Sequence, residues 1–314
     1  MVAKSTAGDR GPRLDLYTRR SGEGQPVVLL HGLFGSGANL GALARSLRDG
    51  YTVLAPDLPG HGRSPPLIRY DLPAMAATLS AWLQREDVGS VHLVGHSLGG
   101  KIAMQLALEY PAQVRSLMVA DIAPVSYPAR HDAVFAGLTA VDAANCQSRD
   151  EADQLLRREI SDERVVQFLL GSLYRGDDGM YHWRMDVAGL QRDYAALSAA
   201  PGEESAGHDK SGRASPGHAS PGQAGPGDAS SGQASPGHVS PGHVSPGQFA
   251  PWHGEALFIK GGASDYIRDT HRDAITALFP AAQVKVMPDC GHWLHVEKPN
   301  VFNGIVARFL EAQA

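Results

Sequence analysis

Val91-His92-Leu93-Val94-Gly95-His96-Ser97-Leu98-Gly99-Gly100-Lys101 decides how this chain folds. A short apolar run rich in β-branched residues enters Gly-x-Ser-x-Gly, and a helix-favouring segment, Ile102 to Glu109, leaves it. That is the strand, sharp turn and helix of a nucleophile elbow. Ser97 is the candidate nucleophile. Glycine is required at 95 and 99 because the turn strains the serine and leaves no room for a Cβ on either side. Such a turn also aims the Leu98 N–H at the place where a tetrahedral oxyanion would form.

Taken alone, a Gly-Ser-Gly sequence in a glycine-rich chain is only a turn. A sharper rival is a phosphate cradle, since Gly95 to Lys101 also spells Gly-x-x-x-x-Gly-Lys and Leu117 to Asp121 supplies an apolar strand ending in an acid. Position 102 decides against it: isoleucine stands where a hydroxyl should ligate Mg²⁺.

The composition sets the bounds. At 314 residues and 43% hydrophobic content the chain can bury a sizeable core. A net charge of −5 with interspersed bases offers no stripe for a phosphate backbone, so nucleic acid is not an expected partner. Met1 to Arg13 is small and polar, and no apolar run reaches membrane-spanning length, so the expected location is the cytoplasm. Cys146 and Cys290 are too few and too far apart for a disulfide framework, which fits that compartment.

Outward from the elbow, strand-like and helix-like patterns alternate. Strands are expected over Pro26 to Leu30, Tyr51 to Ala55, Ser90 to Val94 and Ser116 to Ala120, with helices over Asn39 to Leu47, Leu72 to Gln84 and Leu98 to Glu109. The same grammar resumes with strand Ala256 to Lys260, helix Asp269 to Leu278, strand Gln283 to Met287 and helix Pro299 to Glu311. This predicts an α/β fold: a mostly parallel central sheet with helices on both faces and chemistry at the carboxyl ends of its strands.

Between the two halves, Tyr127 to Ala200 reads as helices broken by a hairpin turning at Gly176-Asp177-Asp178-Gly179. An insertion there would sit over the carboxyl edge as a helical cap. Its Phe168, Leu169, Leu173, Tyr181 and Trp183 either line an apolar pocket or seal the cap to the core. From Gly202 to Gly247 glycine then recurs at every fifth position, in units such as Ser-Pro-Gly-His. Collagen needs glycine every third residue, whereas Pro-Gly at this spacing favours serial turns with almost nothing apolar to pack. The segment reads as a disordered loop, whose extra length costs only about 2 kcal/mol of closure entropy. The spacing of His208, His218, His238 and His243 follows the repeat and indicates no metal site. The expected division is therefore core 1–126, cap 127–200, repeat insertion 201–248 and core 249–314.

Serine is a weak nucleophile at neutral pH and needs a base, which needs an orienting acid. His292, on the loop Pro288-Asp289-Cys290-Gly291-His292 after the last strand, is the expected base. His295 is the competitor, better suited to supporting that loop or the pocket wall. The second oxyanion donor is expected from the Leu33 N–H in His31-Gly32-Leu33-Phe34-Gly35-Ser36, whose glycine spacing does not match a dinucleotide motif. Phe34, His96, Trp183 and Trp293 are the candidate pocket residues.

His31-Gly32, Asp57-Leu58-Pro59-Gly60-His61-Gly62-Arg63-Ser64, Gly95-His96-Ser97-Leu98-Gly99-Gly100 and Gly291-His292 together resemble the α/β-hydrolase superfamily in order and spacing. More narrowly, Asp121-Ile122-Ala123-Pro124-Val125 and Gly291-His292-Trp293-Leu294-His295, with Glu297-Lys298-Pro299, resemble the bacterial YbfF-type esterases and their mitochondrial abhydrolase relatives. The resemblance covers 14–200 and 249–312, and the pentad repeat has no counterpart in it. It leaves two positions for the acid. Superfamily precedent points after the penultimate strand, to Asp265, whereas the YbfF-type esterases take it from the strand following the elbow helix, which implies Asp121 and is preferred here.

The expectation is a serine hydrolase of carboxylic esters, with acyl thioesters as an extension, that works on a small-molecule acyl substrate without a metal or organic cofactor. Carbon–carbon bond hydrolysis and perhydrolysis use the same machinery. A non-catalytic binding protein on this fold is the rival from another class, although such proteins commonly lose the nucleophile or base that this chain keeps.

Overall fold

The computed structural model describes residues 14–203 and 249–313. The expected disordered loop falls outside the described residues except for 201–203, as do Met1 to Arg13. The chain opens with β1 (Thr18–Ser21), β2 (Gln25–Leu30), α1 (Gly41–Leu47), β3 (Tyr51–Pro56), α2 (Leu72–Glu86), β4 (Val91–His96), α3 (Leu98–Glu109) and β5 (Val114–Ala120). A mainly helical segment follows: α4 (Asp132–Ala144), α5 (Arg149–Glu159), α6 (Glu163–Leu170), a hairpin of β6 (Leu173–Arg175) and β7 (Tyr181–Trp183), α7 (Val187–Arg192) and α8 (Tyr194–Ser198). The chain closes with β8 (Ala256–Gly261), α9 (Arg272–Leu278), β9 (Ala282–Met287), α10 (Leu294–Glu297) and α11 (Pro299–Glu311).

The main sheet runs β1-β3-β2-β4-β5-β8-β9 and is parallel except for β1. Its central strands are apolar on both faces, with a few polar residues among them, because both faces are covered. Val27 and Leu29 face one way, against Leu43 and Leu47 of α1 and Phe302, Ile305 and Val306 of α11. Val28 and Leu30 face the other way, toward Met75 and Leu79 of α2 and Ile102 and Leu106 of α3. From β2 the chain steps to β3 on one side, then crosses back to β4 on the other. The loops leaving β2 and β4 therefore diverge and open a crevice at the carboxyl edge, the usual ligand position in such sheets.

One strand was not expected. β1 is the polar stretch Thr-Arg-Arg-Ser, which joins the edge antiparallel to β3 and carries no apolar alternation to announce it. The helices expected from Asn39 and Asp269 each begin as a 3₁₀ turn and become α-helical only at Gly41 and Arg272.

The helical segment is tied to the core where it begins and ends. Tyr127 N–H donates to the Ser198 carbonyl at 2.9 Å, and Ala200 N–H to Ser126 Oγ at 2.9 Å. From α3, Lys101 Nζ donates to the Ser198 and Ala199 carbonyls at 2.6 Å each, and Gln105 Oε1 accepts from Gly202 N–H at 2.7 Å. The lysine of the rejected phosphate-cradle spelling is thus a buried strap, and burial lowers its pKa to about 7.

Candidate active site

The elbow forms as its glycines require. Ser97 takes φ 53° and ψ −119°, a conformation that costs a side-chain-bearing residue roughly 1–3 kcal/mol. A Cβ at Gly95 would stand 2.3 Å from the Gly99 carbonyl oxygen, and one at Gly99 2.3 Å from that of Leu30. The hydroxyl does not cap α3, although Ser97 occupies the N-cap position. It stands instead at a cavity of about 220 Å³, lined by Leu33, Phe34, His96, His292, Trp293 and, from the helical segment, Phe168 among others.

His292 and Asp121 meet across the sheet edge. His292 Nδ1 lies 2.8 Å from Asp121 Oδ2, and since a carboxylate accepts, Nδ1 carries the proton. Asp121 is fully buried at the end of β5 and also receives Gly261 N–H at 2.8 Å and the Ser264 hydroxyl. The pairing of β4 with β5 puts His96 beside Ala120, and Ser97 N–H donates to the Ala120 carbonyl at 3.0 Å. The register thereby brings the nucleophile candidate and the acid candidate to neighbouring strand ends.

Asp265 stands elsewhere. Its side chain is 76% exposed and pairs with Arg268 at 3.2 Å, because the β8 loop turns Ser264, not its neighbour, toward Asp121. Trp183 also departs from expectation. It is buried, its Nε1 donates to the Leu138 carbonyl at 3.0 Å, and it lines a separate cavity with Arg63 and Arg184. Phe34, His96 and Trp293 do line the Ser97 cavity.

The loop after β2 is braced from below. His31 Nδ1 donates to the Gly32 carbonyl at 2.8 Å and its Nε2 accepts from Leu58 N–H at 2.9 Å, which fixes one neutral tautomer. Asp57 receives Gly37 N–H at 2.7 Å and Arg63 N–H at 2.9 Å, so the Asp57 to Ser64 motif supports the turn that presents Leu33. Leu98 opens α3, where its N–H is among those a helix leaves unpaired.

A family profile for the α/β hydrolase fold matches residues 25–299. The chain belongs to the α/β-hydrolase family. It is 33% identical over 288 residues to Esterase YbfF of Escherichia coli, covering 91% of this chain and 92% of that protein. It is 32% identical over 292 residues to the sn-1-specific diacylglycerol lipase ABHD11 of Mus musculus, covering 90% and 80%. Among solved structures, a marine microorganism esterase superposes with a TM-score of 0.76 at 30% identity, over 94% of this chain and 99% of that one.

Three side chains at this hydrolase's site were not singled out from sequence. Ser264 holds Asp121, Tyr266 stacks on the His292 ring at 4.0 Å, and the Tyr127 hydroxyl reaches the Tyr266 carbonyl while receiving Ala123 N–H at 2.9 Å. The stretch Gly262-Ala263-Ser264-Asp265 after the penultimate strand drew attention to its acid and not to the serine beside it. Burial keeps the neighbouring histidines neutral. It holds His31 near 3, His131 and His295 near 4, and His96 well below the usual imidazole range, with the charge of nearby histidines adding to the effect. Among the described residues no three His, Cys, Asp or Glu side chains gather as a metal-ligating cluster, and no helix is long and apolar enough to cross a membrane.

Proposed function

We propose that this α/β-hydrolase cleaves carboxylic esters, and acyl thioesters by the same route, through a Ser-His-Asp triad of Ser97, His292 and Asp121 and an acyl-enzyme intermediate. The observation that carries the reading is the 2.8 Å contact between His292 Nδ1 and buried Asp121, on a cavity that Ser97 shares. In this reading Ser97 Oγ attacks the acyl carbon while its proton passes to His292 Nε2. Asp121 holds the imidazolium, and the Leu33 and Leu98 N–H groups take the oxyanion. Collapse of the intermediate expels the alcohol or thiol with the proton from His292, and water then repeats the sequence on the acyl-serine. The apolar walls contributed by Leu33, Phe34, Val134, Phe168 and Trp293 suit the hydrocarbon part of an acyl group. Residues 127–200 serve as the cap that closes over it, and 1–126 with 249–314 as the core.

Ser97→Ala tests this directly. It is expected to abolish ester hydrolysis and labelling by a fluorophosphonate probe without unfolding the protein, a loss on the order of 10⁶ in kcat. Retention of more than roughly a tenth of the activity, a far smaller loss than a missing nucleophile causes, would discard the mechanism. An ester and acyl-thioester panel run on the unmodified protein ranks the two substrate classes.

A further inference from the structure

The residue before the nucleophile makes a contact that the triad does not require. His96 is the last residue of β4 and is buried, and its Nε2 lies 2.8 Å from the main-chain carbonyl oxygen of His292. A carbonyl only accepts, so His96 Nε2 carries the proton and donates. The two rings stand 4.7 Å apart, and Tyr266 stacks on His292 at 4.0 Å. His292 is thus held at its backbone by His96, at Nδ1 by Asp121 and on its ring by Tyr266.

We propose that His96 is a positioning residue for His292: its Nε2–H pins the carbonyl of the base's own residue to the strand that carries Ser97. This rests on the reading of Ser97 and His292 as nucleophile and base. The physical argument is one of reach. His292 lies on a loop between β9 and α10, and an error of about 1 Å in the placement of a reacting group costs on the order of 10²-fold. A hydrogen bond from the residue adjacent to Ser97 fixes the base in the nucleophile's own frame of reference, whatever the rest of the loop does. Histidine suits the task at this depth. Burial, and then the neighbouring His295 and His292, keep its ring neutral, so it donates without setting a positive charge beside the imidazolium that forms during turnover.

Two amides separate this role from mere packing. Glutamine places its N–H where histidine has Nε2, whereas asparagine places it where histidine has Nδ1. His96→Asn is expected to lower kcat by roughly 10²-fold with KM little changed and to move the acid limb of the kcat/KM pH profile. His96→Gln is expected to recover most of the rate and the original limb. Equal rates in two folded variants, or a wild-type kcat and pH profile in His96→Asn, would overturn the proposal. The tautomer supplies a measurement free of both folding and activity. ¹⁵N shifts of histidine-labelled unmodified protein should show His96 protonated at Nε2 from pH 5 to 8, and an Nδ1–H tautomer would overturn the assignment. Failure of the underlying mechanism would appear separately, as activity remaining in Ser97→Ala.

Discussion

Asp121→Asn and Asp265→Asn are expected to diverge. Asparagine at 121 offers an amide N–H to Nδ1 or forces the other histidine tautomer, a change that costs roughly 10⁴ in kcat in the protease template. Asparagine at 265 removes only an exposed pairing with Arg268, so kcat should stay within about twofold, as exposed ion pairs contribute little. Steady-state kinetics of the two variants on one ester decide it, and an inactive Asp265→Asn beside an active Asp121→Asn would reassign the acid. At this scale the sequence was half legible. Ser97 and His292 were marked by glycines and by position after a strand, because a strained turn demands glycine neighbours. The preference for Asp121 over Asp265 came from the family resemblance and not from the residues themselves, because the choice depends on which way two loops turn. Asp121 itself adopts φ 52°, a left-handed conformation that no residue around it foretells.

The elbow shows why elements were easier to read than contacts. Helix Leu98–Glu109 and helix Pro299–Glu311 begin and end where the pattern places them, since a doubly covered sheet needs long apolar stretches on both partners. β1 escaped notice for the opposite reason: an exposed edge strand of Thr, Arg, Arg and Ser is specified by pairing with β3, not by burial. The elbow also carries the most demanding packing constraint. Gly99→Ala would place a methyl carbon 2.3 Å from the Leu30 carbonyl oxygen and 2.6 Å from that of His31, both backbone atoms at the end of β2. The clash can be relieved only by parting α3 from the sheet, so the expected loss is about 3 kcal/mol or more. Denaturant unfolding measures it, and a midpoint within error of wild type would refute the close approach.

For the molecule as a whole, buried neutral histidines set an acid limit. Burial holds His31 near 3 and His61, His131 and His295 near 4, below the 6.5 they would show unfolded. The stability tied to these depressed values is fully present above pH 6.5. It drains away as pH falls toward 4, because the unfolded chain takes up protons that the native state refuses. Each such group contributes up to about 1.4 kcal/mol per pH unit in that window. Urea midpoints should therefore drop steeply between pH 6.5 and 4.5, and a flat profile would contradict the neutral assignments. The seam at the base of the helical segment has a different consequence. The strands of chain leading into and out of 127–200 touch each other through Tyr127 and Ser198, and a Cβ on Gly202 would stand 3.6 Å from a ring carbon of Phe249. Whatever leaves the core at this junction comes back to the place it left. Chain added or removed beyond such a doorway need not shift the register of the sheet, because both of its jambs stand on the core.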